Sequence, residues 1–438
     1  MLPEPTLTFT LPSIHDSTTL DCRIYHPHSL APASSRAPPW LRHAAIVAHP
    51  YAPLGGCFDD PVVDTIAGTL LRAGFLVATF NFRGAGNSAG HTSWTSKAER
   101  ADYMSLVGFV SYYVHYLNPF RRLGPHPKSP GPADTGLPSA PTSAPEVPLR
   151  QPTLLLAGYS YGAMITSQIP PLDTILDPFA TPVAGSAEAD IRLRAQHLAE
   201  QQNVILGSAR AALAERHGGV SPRKSLGLRI GGDEDRRRSH DSHRSFSLDA
   251  EDKLRKGVAD LLAKTKSHKK ATGHHSGTSA PDVTSDPGAA QQQQALDRLG
   301  DMIHPRVAYL LVSPPVGWAT NLMTLKIPHP FGKKSWRSSS KVSASSNADK
   351  NNSAHEHQLG EQKLVENPCL TVYGDSDTFV AVKKFREWTA RLQAVPGSRF
   401  RAHEVSTAGH FYVEEGVMQR LRDAARAFAE SLLTEEPG

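Results

Sequence analysis

"LLLAGYSYGAM", residues Leu154–Met164, decides how the chain is read. An apolar run ends at Gly158, a serine stands between two tyrosines, Gly162 follows, and a helix-like pattern begins. Gly158-Tyr159-Ser160-Tyr161-Gly162 fits G-x-S-x-G between a strand and a helix. A nucleophilic serine needs that shape, because it must project from a turn so tight that the residues two away on either side have no room for side chains. The next residue then opens a helix, and the backbone N–H of Tyr161 is offered to a developing oxyanion. The competing reading is an ordinary serine in a glycine-bounded loop, and five residues alone do not separate the two.

Chemistry supplies the discriminator: a hydroxyl needs a base, and the base needs an acid to orient it. "TVYGDSDTFV" ends a strand-like run and offers Asp375 and Asp377; "STAGHFYVEEG" follows the last strand-like run and offers His410. The order serine, acid, histidine is the one a nucleophile elbow on a parallel sheet requires. Asp377, past Gly374 and ahead of Phe379 and Val380, is the better acid; Asp375 is the fallback, with a turn cap as its other role. His403 falls inside a strand pattern and reads as structural. A second oxyanion donor should come from the loop after "AAIVAHP", where Pro50 has no N–H and Tyr51 is the first donor available. In the same reading His49 packs within its loop, Arg83 ties its own turn together, Cys57 is a small buried residue and Tyr159 only packs.

Working outward, strand-like runs alternate with helical ones. "TLTFTLPS" and "TLDCRIYHP" alternate at period two, as a half-buried hairpin would. "HAAIVAHP" and "FLVATFNF" flank a helical stretch, "PVVDTIAGTLLRAG", which Gly74 stops. "KAERADYMSLVGFVSYYVHYL" reads as a long helix before the strand that carries Ser160. "RVAYLLVSPP", "PCLTVYGD", the helix "VAVKKFREWTARLQ", "SRFRAHEV" and a C-terminal helix complete the pattern. Apolar runs such as "YLLV", without clean alternation, are what parallel strands covered on both faces require. The expectation is one α/β domain over residues 1–438, a mostly parallel sheet with helices on both faces and an antiparallel hairpin at one edge.

Three polar segments interrupt it: a Pro-rich insertion over 121–148, a partly helical then disordered one over 186–301, and a Ser/Lys-rich disordered one over 331–363. Such compositions bury too little apolar surface to offset the entropy of ordering them. In a parallel sheet, ligands bind at the carboxyl ends of the strands. The first two insertions join a helix to the next strand and should leave away from a site. The stretch after "YLLVSPP" follows a strand directly, which makes Trp318, Leu322 and Met323 candidate substrate-lining residues.

Composition narrows the classes. Over 438 residues the formal net charge is +5. The basic residues gather in "SPRKSLGLRIGGDEDRRRSHDSHRS" and "KTKSHKK", mixed with acids and serines and without interleaved aromatics, so nucleic-acid binding is not expected. Cys22, Cys57 and Cys369 have no zinc-site or disulfide-framework spacing, so neither a metal nor another cofactor is expected. No secretory signal and no apolar run of about 18 residues is evident, so the expected setting is soluble and cytoplasmic.

"HPYAPLGGCFDDPVV", "FNFRGAGNSAG", "GYSYGA", "GDSDTFV" and "AGHF" together resemble the α/β-hydrolase superfamily. They are most similar to its small capless hydrolases with an HPHP-x-x-GG loop, an FNFRG turn, GFSFGA at the elbow and GADHF near the end. Tyr51-Ala52 departs from that pattern, and the insertions are longer. The resemblance implies nucleophile, acid and base at Ser160, Asp377 and His410; the expected partner is a small-molecule acyl substrate.

Three functions fit these features. The first is a serine hydrolase cleaving a carboxylic ester through an acyl-enzyme on Ser160. The second is an aminopeptidase or acyl-peptide hydrolase, which needs carboxylates for a substrate amine; Glu414 and Glu415 lie near His410 in sequence. The third is a phosphorylation-regulated interaction protein that meets partners through 218–300, where "RRRSHDS" and "HRSFS" place serines close behind arginines.

Overall fold

A computed structural model describes residues 1–33, 40–120, 151–217, 295–316 and 360–435. Its centre is an eight-stranded sheet in the order β1-β2-β4-β3-β5-β6-β7-β8. The strands are β1 (Leu7–Pro12), β2 (Thr19–Tyr25), β3 (Ala44–Ala48), β4 (Leu76–Phe80), β5 (Thr153–Tyr159), β6 (Arg306–Val312), β7 (Cys369–Gly374) and β8 (Phe400–Val405). The β1–β2 hairpin is antiparallel and lies at one edge; every pairing from β4 through β8 is parallel. Every residue of β3, β4, β5 and β7 is buried, in keeping with their mostly apolar sequences.

Successive side chains split between two cores. Ala44, Ile46, Leu154 and Leu156 point to one face, covered by α2 (Lys97–Tyr116), α3 (Tyr161–Gln168), α4 (Leu172–Ala180) and α5 (Ala187–His217). Ala45, Val47, Leu155 and Ala157 point to the other, covered by α1 (Pro61–Ala73) and the C-terminal α7 (Val417–Thr434). The helix between β7 and β8, α6 (Val382–Gln393), seats Phe385 against Tyr373. α1 shows how locally the helices are specified. Asp60 caps it by accepting from Val62 N and Val63 N, and Gly74 ends it at φ 108°.

The boundaries of two insertions differ from the sequence reading. The charged stretch opening 186–301 is not peripheral: α5 packs on α2, and its Ile191, Ala195, Leu198 and Ala199 enter the core. At the other end Ala295 bridges Val183, and Arg192 Nη2 donates to the Asp297 carbonyl. Four residues spaced along one face suffice to seat a helix that is polar elsewhere. Likewise residues 360–363, placed in the last insertion, belong to a helical segment, 360–366, that buries Lys363 and Leu364. Lys363 Nζ donates to the carbonyls of Thr166 and Ile169, covering the carboxyl end of α3. Trp318, Leu322, Met323 and all of 121–148 fall outside the described residues, as do 218–294 and 331–359.

Candidate active site

Ser160 sits at the carboxyl end of β5 with φ 53° and ψ −117°, a strained conformation for a residue with a side chain. The flanking glycines explain how the turn closes. A Cβ on Gly158 would stand 2.3 Å from the Gly162 carbonyl carbon, and one on Gly162 would stand 2.5 Å from the Ala48 carbonyl oxygen. The elbow is thus wedged against the end of β3, next to the 49–51 loop. Ser160 N donates to Val312 O at 2.8 Å, which ties the turn to β6.

The partners expected from sequence converge on it. His410 Nε2 lies 2.9 Å from Ser160 Oγ, and His410 Nδ1 lies 2.7 Å from Asp377 Oδ2. The carboxylate can only accept, so Nδ1 carries the proton and Nε2 is left to accept from the serine hydroxyl. The other Asp377 oxygen accepts from Phe379 N and Val380 N. Asp375 does not reach the histidine; it accepts from Ser376 Oγ. The loops bearing Asp377 and His410 are joined where Ser376 N donates to Ala408 O. Gly374 is obligatory at that crossing, since a Cβ would fall 2.0 Å from Ala408 O. All three site residues are buried.

Three sequence readings change here. Tyr159 does more than pack: its hydroxyl donates to the His410 carbonyl at 2.8 Å, holding that residue from the strand that leads into Ser160. Tyr412 OH meets Ser313 Oγ at 3.0 Å and pins the same loop to β6. Arg83 ties more than its own turn. It donates to Asp102 on α2 and to Asp16 and Ser13 of the β1–β2 turn, so it locks three elements. Cys57 is half-buried rather than buried.

His49 packs as expected, and its hydrogen bonds define its state. Phe82 N–H donates to Nε2 at 2.8 Å, so Nε2 is unprotonated and Nδ1–H donates to Pro50 O at 2.6 Å. Burial lowers its pKa to about 4, keeping the ring neutral. That bond fixes the Pro50–Tyr51 peptide plane, whose opposite edge is the Tyr51 N–H. The Tyr51 ring stands 5.1 Å from that of Tyr161, placing the two candidate donor residues side by side. Tyr161 is the first residue of α3, where a backbone N–H has no acceptor within the helix.

A cavity of about 520 Å³ beyond α3 is lined by Met164, Pro314, Val316, Leu364, Trp388 and Arg391 among others; none of Ser160, Asp377 and His410 lines it. Glu414 folds onto Gly409, and Glu415 is exposed. Among the described residues no cluster of three or more His, Cys, Asp or Glu could hold a metal ion. None of their helices is long and apolar enough to cross a membrane.

The strand order, the serine on a strained turn after β5, the acid after β7 and the histidine after β8 belong together. The fold is that of the α/β-hydrolases. No family model matches the chain, and no curated protein matches it. Among solved structures the chain is similar to XC6422 from Xanthomonas campestris, described as an α/β serine hydrolase without lid. Identity is 14%, coverage 100% of this chain and 99% of that one, and the TM-score 0.41. It is also similar to an α/β serine hydrolase homologue from Coxiella burnetii, at 13% identity, 98% and 99% coverage and TM-score 0.39. Est1E from Butyrivibrio proteoclasticus, in a complex with ferulic acid, matches at 9% identity, 98% and 100% coverage and TM-score 0.41.

Proposed function

We propose that the protein is a serine hydrolase that cleaves carboxylic esters through an acyl-enzyme on Ser160. One observation carries the reading: Oγ of Ser160, the imidazole of His410 and the carboxylate of Asp377 form a continuous hydrogen-bonded chain from three separate loops. His410 Nε2 takes the hydroxyl proton as Oγ attacks the ester carbonyl carbon, and Asp377 stabilises the imidazolium. Backbone N–H groups of Tyr51 and Tyr161 hold the oxyanion. The C–O bond to the alcohol then breaks, and Nε2–H gives its proton to the departing oxygen. Water attacks the acyl-enzyme with His410 again as base, releasing the acid and restoring Ser160.

The buried setting strengthens each of these charge contacts relative to water. Ser160→Ala and His410→Ala should each lower turnover of a short p-nitrophenyl ester on the order of 10⁶-fold, because the triad acts as a unit. Ser160→Ala should also abolish labelling by a fluorophosphonate probe. Hydrolysis and labelling at wild-type level in Ser160→Ala would refute the assignment.

A further inference from the structure

Among the described residues two phenylalanines are exposed, Phe379 at 43% and Phe411 at 58%. Both lie against the same side chain. The Phe379 ring centroid is 4.5 Å from that of His410, and the Phe411 ring stands edge-on to both at 5.8 and 5.5 Å. Val413, on the same loop, is 81% exposed. Phe379 is also coupled to the triad, since its backbone N–H donates to Asp377 Oδ1 at 2.8 Å. An apolar ledge therefore borders the imidazole, built on the loops that set its position.

The chemistry decides which half of a substrate meets this ledge. The acyl carbon is bonded to Ser160 Oγ, whereas the alcohol oxygen must leave within reach of His410 Nε2 to receive its proton. A group resting on rings that touch the imidazole is on the alcohol side. We propose that Phe379 and Phe411 form the leaving-group subsite and select esters whose alcohol half is apolar, an alkyl chain or an arylmethyl group. This rests on the hydrolase reading above.

The test uses acetate esters of methanol, ethanol, butanol, hexanol and benzyl alcohol, with methyl acetate to methyl hexanoate as a parallel acyl series. In the wild type, kcat/KM should rise with alcohol size, up to about fourfold per methylene where burial is complete. In Phe379→Ala and Phe411→Ala the benzyl-to-methyl ratio should collapse toward one, while the rise or fall along the acyl series keeps its wild-type slope. Phe379→Leu should retain the alkyl slope and lose part of the benzyl preference, which separates a lost contact from a misfolded loop. A flat alcohol series in the wild type would overturn the inference, as it would if the loop or a partner occupied the ledge. So would alanine variants that alter the acyl slope and leave the alcohol slope alone. Fluorophosphonate labelling of Ser160 keeps the two readings apart. A labelled, active enzyme with a flat series removes only the subsite, whereas absence of both labelling and turnover removes the hydrolase reading with it.

Discussion

At Asp377 and Tyr159 the site makes different demands on single side chains. Asp377→Asn should lower turnover by roughly 10⁴, since an amide turned toward Nδ1 favours the wrong imidazole tautomer. Asp375→Asn should stay close to wild type, because the Asp375 carboxylate accepts from its neighbour Ser376 while His410 Nδ1 pairs with Asp377. Tyr159→Phe keeps the ring but leaves the His410 carbonyl unpaired in a buried place. We expect kcat to fall roughly ten- to hundredfold with KM little changed, the mark of a positioning residue. Steady-state kinetics on the three variants checks all of this, and equal losses for both aspartates would contradict the geometry. That Ser160, His410 and Asp377 would come together was legible in sequence, because tight turns and chain order restrict such residues. The Tyr159 hydroxyl was not, since its acceptor lies 251 positions away and no local pattern announces such a bond.

Among the elements, strands and capped helices were the most legible. Gly74 and Asp60 punctuate α1 in the text of the chain itself, whereas nothing local in α5 says that its Ile191–Ala199 stripe has a home on α2. The same ambiguity hid Lys363, whose flanking composition is polar although its amine is buried at the end of α3. α5 also sets a constraint on engineering. It begins beside the Val183–Ala295 bridge and, with 31 residues, runs some 46 Å from it. Direct joining of residues 217 and 295 should therefore unfold or misfold the protein. Replacing 218–294 by a flexible linker of about 40 residues should restore the thermal midpoint and ester turnover. Measuring both in the two variants decides whether these residues serve catalysis or, as the interaction reading holds, partners. Lost turnover in the folded linker variant would count against that division.

Taken whole, the molecule should be sensitive to mild acid. His49 and His26 each have a pKa lowered by burial from 6.5 to about 4. Between those values the unfolded chain binds a proton that the folded chain refuses, so stability is constant above about pH 6.5 and falls as pH drops toward 4. For His49 alone the full loss amounts to about 3 kcal/mol. A protonated Nε2 can no longer accept from Phe82 N–H, so activity should decline with the loop that carries Tyr51. Urea unfolding at pH 8, 6.5 and 5 should show the onset before most carboxylates titrate; a flat profile through pH 5 would speak against it.

The sheet order has a kinetic side. β5, the strand that presents Ser160, pairs Leu154 with Ala44 on one edge and Thr153 with Arg306 on the other. Both neighbours are more than a hundred residues distant along the chain. Closing such loops adds only about 0.6 kcal/mol per doubling of length, so the long insertions burden equilibrium little. They weigh instead on the search, because non-local parallel pairings are slow to find. During synthesis β3, β4 and β5 emerge well before β6, and the elbow meets His410 only after another 250 residues have been added. The proposed triad is therefore completed late, and a partly folded chain carries Ser160 without His410.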